Sequence, residues 1–278
     1  MPELPEVETI ANGVHRRVQG DSIVSVWTSD KPQTFKTPPA LLAETLTGSR
    51  IERVHRVGKT IVVDLVCLPD PCSLIPVPCQ CLIHLGMTGR LLVSSADVPL
   101  SAHTHLIATL RSGRELRFVD ARRFGRLSIA QSTEEKFKGT GREPLTISLE
   151  EFIALFRGRK TSIKAALLNQ KLLHGVGNIY ADEGLFLAGI RPTRHAGRLS
   201  RAELKRLNAA LKKVLRHAIR LGGSSVADYV DADGVRGFFQ LRHNVYLRTG
   251  EPCRACGTAI RRTIVAGRGT HFCPKCQY

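Results

Sequence analysis

Residues 253–276 read CRACGTAIRRTIVAGRGTHFCPKC. Cys253 and Cys256 enclose two residues, Cys273 and Cys276 repeat that spacing, and sixteen residues separate the pairs. Each Cys-x-x-Cys turn aims two thiolates at one point, and a strand-rich spacer can fold back as a hairpin to set the second pair opposite the first. Four thiolates in tetrahedral array select zinc and leave no open coordination position. One Zn2+ would therefore hold the fold and do no chemistry. A rubredoxin-like iron or a redox role for either pair are the competing readings. Within the spacer, Arg268 stands between Gly267 and Gly269. Flanking glycines let a turn come close to a phosphate, and one guanidinium can grip it through two hydrogen bonds. The plain alternative is a solvated turn arginine.

The composition points the same way. Forty-one Lys and Arg against 24 Asp and Glu give a formal net charge of +17. An excess of that size favours a polyanion, nucleic acid first, over a merely soluble or ribosome-associated basic protein. No run of about 20 apolar residues is present for a membrane span, and no charged start followed by an apolar run marks a secretory signal. A soluble intracellular protein is expected, without a membrane partner. The 278 residues suggest about two domains at roughly 150 residues each.

Upstream, the texture changes twice. Val7, Ile10, Ala11, Val14 and Val18 recur at helical spacing, so a first helix is expected to about Arg17. From Ile23 to about Ala130 come β-rich runs, SIVSVW, KTIVVDLV, CLIHLGM, HLIATL, ELRFVD and GRLSIA, with no helix expected between them. These read as an antiparallel sandwich or barrel. A polar stretch, QSTEEKFKGTGREPL, serves as linker. Helices follow, two of them opened by Ser-x-x-Glu capping boxes at Ser148/Glu151 and Ser200/Glu203. In the second, Leu204, Leu207, Leu211, Val214 and Leu215 form one apolar stripe. The resulting fold class is α+β and multidomain. It comprises an N-terminal β-sandwich domain with a flanking helix (2–131), a linker (132–147), a helical domain (148–250) and a four-Cys finger (251–278).

Five motifs in order, PELPEVET at the start, HLGMTG at 84–89, DARRFG at 120–125, GVGNIYADEGLF at 175–186 and the finger, resemble the bacterial formamidopyrimidine-DNA glycosylases, and the resemblance spans nearly the whole chain. The start resembles the purine-directed branch more than the endonuclease VIII branch. The family implies removal of oxidised purines, 8-oxoguanine and formamidopyrimidines, from double-stranded DNA, followed by cleavage at the abasic site. A monomer in the bacterial cytoplasm, associated with the nucleoid, is expected. Oxidised pyrimidines are the alternative substrate, and a non-catalytic zinc-ribbon nucleic-acid binder the alternative function.

The same resemblance implies roles for single residues. Family members lose the initiator Met, which would expose Pro2 as a secondary amine. An α-amino group has a pKa of about 7.7–8.0 and is partly neutral at physiological pH. Pro2 would then be the nucleophile, Glu3 its proton shuttle, and Glu6 a positioning residue. Lys59 would reach the target phosphate, with an edge-strand lysine as the alternative. His84 would contact phosphate or be structural. Met87, Arg122 and Phe124 would fill the hole left by an extruded base, and Arg123 would point to the opposite face of a strand.

GVGNIYADEGLF resembles the helix–two-turn–helix element, with Asn178 capping a helix or donating to phosphate, Lys164 near the lesion and Glu183 organising the site. Residues 222–240 resemble a loop that folds over the extruded base, with Ser224, Ser225 and Tyr229 as its side chains of interest. Cys67, Cys72, Cys79 and Cys81 have no assigned role. For Cys79 and Cys81, spare thiols on a strand compete with a second metal site.

Overall fold

The computed structural model describes the backbone of residues 1–67, 77–226 and 229–278. The chain divides into two compact units. The first comprises Met1–Lys138 with Gly222–Gly237, the second Gly139–Leu221 with Phe238–Tyr278.

In the first unit, α1 (Leu4–Val18) starts with Pro5 in its first turn, where a missing N–H costs nothing. Its Val7, Ile10, Ala11, Val14 and Val18 are buried, so the helical spacing seen in the sequence is the buried stripe. Eight strands follow: β1 (Ile23–Thr28), β2 (Arg50–Val57), β3 (Thr60–Cys67), β4 (Val77–His84), β5 (Arg90–Ser95), β6 (Thr104–Leu110), β7 (Arg114–Val119) and β8 (Arg126–Ala130). They form two antiparallel four-stranded sheets, β1-β6-β7-β5 and β2-β3-β4-β8. One apolar core joins them, with Ile51, Ile61, Val63 and Ile83 from one sheet and Leu91, Leu106, Leu116 and Phe118 from the other. The sandwich is as expected. The absence of helices within it is not, because α2 (Pro39–Leu46) lies between β1 and β2. Two strands, β2 and β5, also escaped the pattern. β2 carries Arg50, Arg53, His55 and Arg56 and buries only Ile51 and Val54, with a register shift between them. That shift breaks the period-2 alternation a sequence reading looks for.

The second unit is built on α4 (Leu149–Phe156), α5 (Ile163–Leu168), α6 (Asn178–Ala188) and α7 (Arg201–Arg220); a short helix, α3 (Thr133–Lys136), precedes it within the stretch read as linker. Both Ser-x-x-Glu boxes are formed, Ser148 and Ser200 accepting from the Glu151 and Glu203 backbones. The apolar stripe of α7 is buried. α6 is buried on nearly every side, and its Gly184 lets Leu211 approach to where a Cβ would lie 3.3 Å from Leu211 Cδ1. The finger hairpin is β9 (Arg261–Val265) with β10 (Arg268–Phe272).

Residues 222–237 are a correction to the sequence reading, which attached them to the helical part. Tyr229 and Ala232 belong to the sandwich core, and the Ala232 carbonyl accepts from the Val93 N–H on β5 at 3.0 Å. The stretch is short of apolar residues, yet the two it spends on the core decide which unit it joins.

Candidate functional site

In the first unit the acidic tip is folded inward. Pro2 is buried beside an exposed Met1, and Glu3 and Glu6 retain 4% and 1% of their accessible surface. Glu6 holds two backbone donors with one carboxylate. Oε2 accepts the Glu3 N–H at 2.8 Å, and Oε1 accepts the Ser224 N–H at 2.8 Å. The second bond needs Gly223, whose φ is +81° and whose missing Cβ would lie 3.0 Å from Glu6 Oε1. The segment is closed on itself as well. The Tyr229 hydroxyl donates to Gly222 O at 2.9 Å, and Ser225 Oγ donates to Tyr229 O while accepting the Gly237 N–H. Burial, aided by the Glu6 charge, pushes the Tyr229 phenol well above its ordinary range, so it stays a neutral donor. The Ser224 N–H is thus spent on Glu6.

Lys59 lies in the Gly58–Lys59 turn between β2 and β3, not on an edge strand, and is 9% exposed. Sequence reasoning missed what mounts this turn. Arg56 Nε pairs with Glu8 Oε2 on α1 at 2.7 Å, and its Nη1 donates to Gly58 O at 3.0 Å. One guanidinium therefore ties the lysine turn to the helix that carries Pro2 and Glu3. His84 ends β4 opposite Thr60 and Arg126. Its Nδ1 accepts the Gly86 N–H at 3.1 Å, which leaves Nε2 as the donor of the neutral ring. Burial, then the Lys59 and Arg126 charges, hold its pKa below the usual histidine value.

Met87, Arg122 and Phe124 project from the β4–β5 and β7–β8 loops. Met87 and Phe124 are 45% and 47% exposed, and the Arg122 guanidinium lies 4.8 Å from the Phe124 ring centre. Two large apolar side chains offered to solvent beside an arginine are poor core and good wedge. Arg123 corrects the sequence reading. It sits in the turn at φ 56°, exposed, and on no strand.

In the second unit, the Sγ atoms of Cys253, Cys256, Cys273 and Cys276 all lie within 4.8 Å of one another. Cys256–Cys273 and Cys253–Cys276 are 3.5 and 3.9 Å apart. Tetrahedral zinc with Zn–S bonds of about 2.3 Å requires S–S separations of about 3.8 Å. The cluster fits one structural Zn2+, and hydrogen bonds from Thr258 draw the Cys256 thiol down to about 6. The hairpin turn places Ala266 and Gly267 at φ 50° and 70°, as a two-residue turn with both central residues left-handed demands. Arg268 follows, exposed, at the first position of β10.

Two residues expected at the DNA brace this hairpin. Lys164 is fully buried. Its Nζ pairs with Asp182 Oδ1 at 2.7 Å and donates to Thr270 Oγ1 at 2.8 Å and Gly269 O at 3.1 Å. Asn178 does not cap α6, whose N-cap is Gly177; its Nδ2 donates to Gly269 O at 3.0 Å. Asp182 also accepts the His271 N–H at 2.8 Å. Glu183 accepts the N–H groups of Asn244, Val245 and Tyr246, each at 2.9 Å, and so orders the stretch leading into the finger. Two adjacent acids inside an apolar helix were the available signal, since buried carboxylates need several donors.

Cys79 is disulfide-bonded and so is not a spare thiol. Burial pushes the free Cys81 thiol up to about 12, which makes it unreactive. Among the described residues no second metal cluster accompanies them. The Cys67 side chain and all of Cys72 lie outside the described residues. Among the described residues no helix is long and apolar enough to cross a membrane.

With this geometry in view, comparison with known proteins is specific. Residues 1–127 match the formamidopyrimidine-DNA glycosylase N-terminal domain, 140–230 its H2TH domain, and 250–277 the zinc finger found in FPG and IleRS. A formamidopyrimidine-DNA glycosylase of Solibacter usitatus is 43% identical over 277 residues, covering 100% of this chain and 99% of the relative. A complex of a Lactococcus lactis FPG mutant with DNA containing Fapy-dG superposes with a TM-score of 0.87 at 34% identity, over 99% of both chains. A complex of the wild-type L. lactis protein with DNA containing an oxidised pyrimidine superposes equally well, with the same identity and coverage. Sandwich, helical element and cysteine finger define a zinc-finger DNA glycosylase. The chain belongs to the formamidopyrimidine-DNA glycosylase family, DNA glycosylases of base excision repair.

Proposed function

We propose that the protein excises oxidised purines, 8-oxoguanine and formamidopyrimidines, from double-stranded DNA and then cuts the strand at the abasic site, with the Pro2 nitrogen as nucleophile. The observation that carries this reading is the burial of Pro2 and Glu3 together at the head of α1, with Glu6 fixing the Glu3 backbone. Removal of Met1 frees a secondary amine whose intrinsic pKa lies near 8, far below the roughly 10.4 of a lysine. Its lone pair attacks C1′ of the sugar. The bond from C1′ to the base breaks, its electrons leave with the base, and a proton completes the departing base.

The ammonium so formed gives up its proton. Its lone pair expels O4′, which takes a proton as its bond to C1′ breaks, and the product is an iminium that is cationic without further protonation. The charge acidifies C2′; a base takes that proton and the 3′-phosphate leaves, after which a second elimination expels the 5′-phosphate. Glu3, next to the nitrogen and buried, moves these protons. Lys59 and Arg268 bind phosphates of the target strand, and His84 offers Nε2–H to another. Met87, Arg122 and Phe124 enter the space the base vacates, where unstacking costs a few kcal/mol. The protein acts as a monomer in the bacterial cytoplasm, on the DNA of the nucleoid.

Borohydride trapping tests the proposal. The mature protein should form a covalent adduct with an 8-oxoguanine:C duplex, and both Pro2→Gly and a form retaining Met1 should form none. A trapped adduct from the Met1-retaining form would refute the role of Pro2. The neighbour crystallised on an oxidised pyrimidine supports a second reading, and faster excision from a thymine-glycol duplex than from 8-oxoguanine:C would establish it. Unimpaired strand cleavage by Pro2→Gly with Glu3→Gln would overturn any catalytic role for the tip.

A further inference from the structure

Met87, Arg122 and Phe124, assigned above to the vacated space, ride on loops with no ladder of their own. We propose that Asp120 is the positioning residue that sets this wedge and, through Arg122, the preference for the base opposite the lesion. The inference rests on the wedge reading given above. Asp120 is fully buried. Its Oδ2 accepts the Gly125 N–H at 2.7 Å, and its Oδ1 accepts the Thr88 hydroxyl and, at 3.3 Å, the Arg122 N–H. The Thr88 oxygen lies 3.3 Å from the same Arg122 N–H. A single carboxylate thereby bolts the loop that carries Met87 to the loop that carries Arg122 and Phe124.

Asp120 is itself anchored. Its N–H donates to His103 O at 2.9 Å, and its carbonyl faces His105 Nε2 at 3.0 Å, whose Nδ1 faces Ser29 Oγ. From the other side, Arg126 Nη1 holds the carbonyls of Arg123 and Gly125. The two loops touch through backbone. A Cβ on Gly86, at φ +63°, would lie 2.5 Å from Phe124 C, and one on Gly125 would lie 3.0 Å from Asp120 Oδ2. Neither loop contains another acid. Burying a carboxylate among neutral donors is costly and adds little stability over apolar packing. What it supplies here is a fixed geometry for three side chains carried on irregular backbone.

Asp120→Asn keeps the shape but turns one acceptor into a donor, so either Gly125 or the Thr88–Arg122 pair faces an N–H. Thr88→Val removes only the link between loops and guards against a variant that does not fold. Two readouts apply. The first is excision from 8-oxoguanine opposite C against opposite A. Since a misplacement of about 1 Å can cost about 100-fold, Asp120→Asn should lose about 10- to 100-fold on the C duplex, with the C-over-A ratio falling toward one. Thr88→Val should move both quantities the same way by a smaller factor.

The second readout is 2-aminopurine fluorescence opposite a tetrahydrofuran abasic analogue, which reports insertion of the wedge without any chemistry. Wild type should perturb the probe and both variants should do so less. An unchanged C-over-A ratio with equal loss on both duplexes would reduce Asp120 to a structural role. An unchanged fluorescence response would overturn the proposal. Failure of the wild-type protein to trap DNA would strike the Pro2 reading alone, because the fluorescence arm needs no bond to break.

Discussion

The finger and the tip of the sandwich are held in opposite ways. The finger depends on four side chains within 24 residues, gathered on one ion. The tip is gathered from segments far apart in the chain. Residues 2–6 meet 222–224, Lys59 is mounted through Arg56 on Glu8, and the 85–89 loop is bolted to the 120–125 loop. One metal centres the first region, whereas the second relies on carboxylates, Glu6 and Asp120 each collecting two or three backbone or hydroxyl donors and Glu8 holding the Arg56 guanidinium. A metal centre tolerates drift in its spacer, while a carboxylate hub fails when one donor moves. The wedge, the lysine turn and the acidic tip should therefore respond to single atoms.

Removing the metal should give the largest effect. Structural zinc sites contribute about 10–16 kcal/mol of apparent folding free energy. Chelation, or Cys273→Ser, should expose the amides of β9 and β10 to exchange, while those of β6 and β7 in the sandwich stay protected. Arg268 would lose its mount, and binding to lesion duplexes would fall with it. Hydrogen exchange across both regions measures this, and equal deprotection of β6 and β7 would break the contrast.

That contrast also explains what the sequence disclosed. The finger, the two capping boxes, the α1 and α7 stripes and most strands were legible because each is a local pattern. β2 was not, since its outward positions are charged and a register shift interrupts its alternation. The bracing contacts of Lys164 and Asn178 were hidden for a related reason. Their positions match a binding motif, but only three dimensions show Lys164 at zero exposure against Asp182 and Asn178 turned to Gly269 O. Asp120 lay in plain view within a noticed motif, and a carboxylate whose partners are backbone N–H groups leaves no mark on residue choice at those partners.

The next effect in size concerns that brace. Lys164→Met leaves Asp182 buried with its charge uncompensated on one side, and breaking a buried pair costs about 3–5 kcal/mol. The midpoint of urea unfolding for the helical unit should fall accordingly, and exchange should rise at Gly269–His271 before it rises in α7. A loss below about 1 kcal/mol would show that Asn178, His271 and the zinc hold the hairpin without Lys164.

The smallest effect tests the sandwich side through pH. His84 is held below its ordinary pKa by burial, then by Lys59 and Arg126. Folding therefore disfavours its proton, and the unfolded chain binds that proton more readily. The sign follows from this difference. Well above about 6.5 both states are neutral and His84 costs nothing; as pH falls through about 6.5 the unfolded state gains protons first and stability declines, levelling off once the folded pKa is passed. Protonation also demands a hydrogen on Nδ1, which cannot then accept the Gly86 N–H. Acid should therefore loosen residues 84–86, next to Met87, before it disturbs the sheet. An NMR titration of the His84 ring alongside the Gly86 amide checks this, with the Gly86 shift tracking a midpoint below that of a free histidine. In His84→Gln, a side chain able to accept from Gly86 at any pH, the Gly86 shift should stay flat over the same range. A Gly86 amide that still titrated in that variant would assign the acid sensitivity to another group.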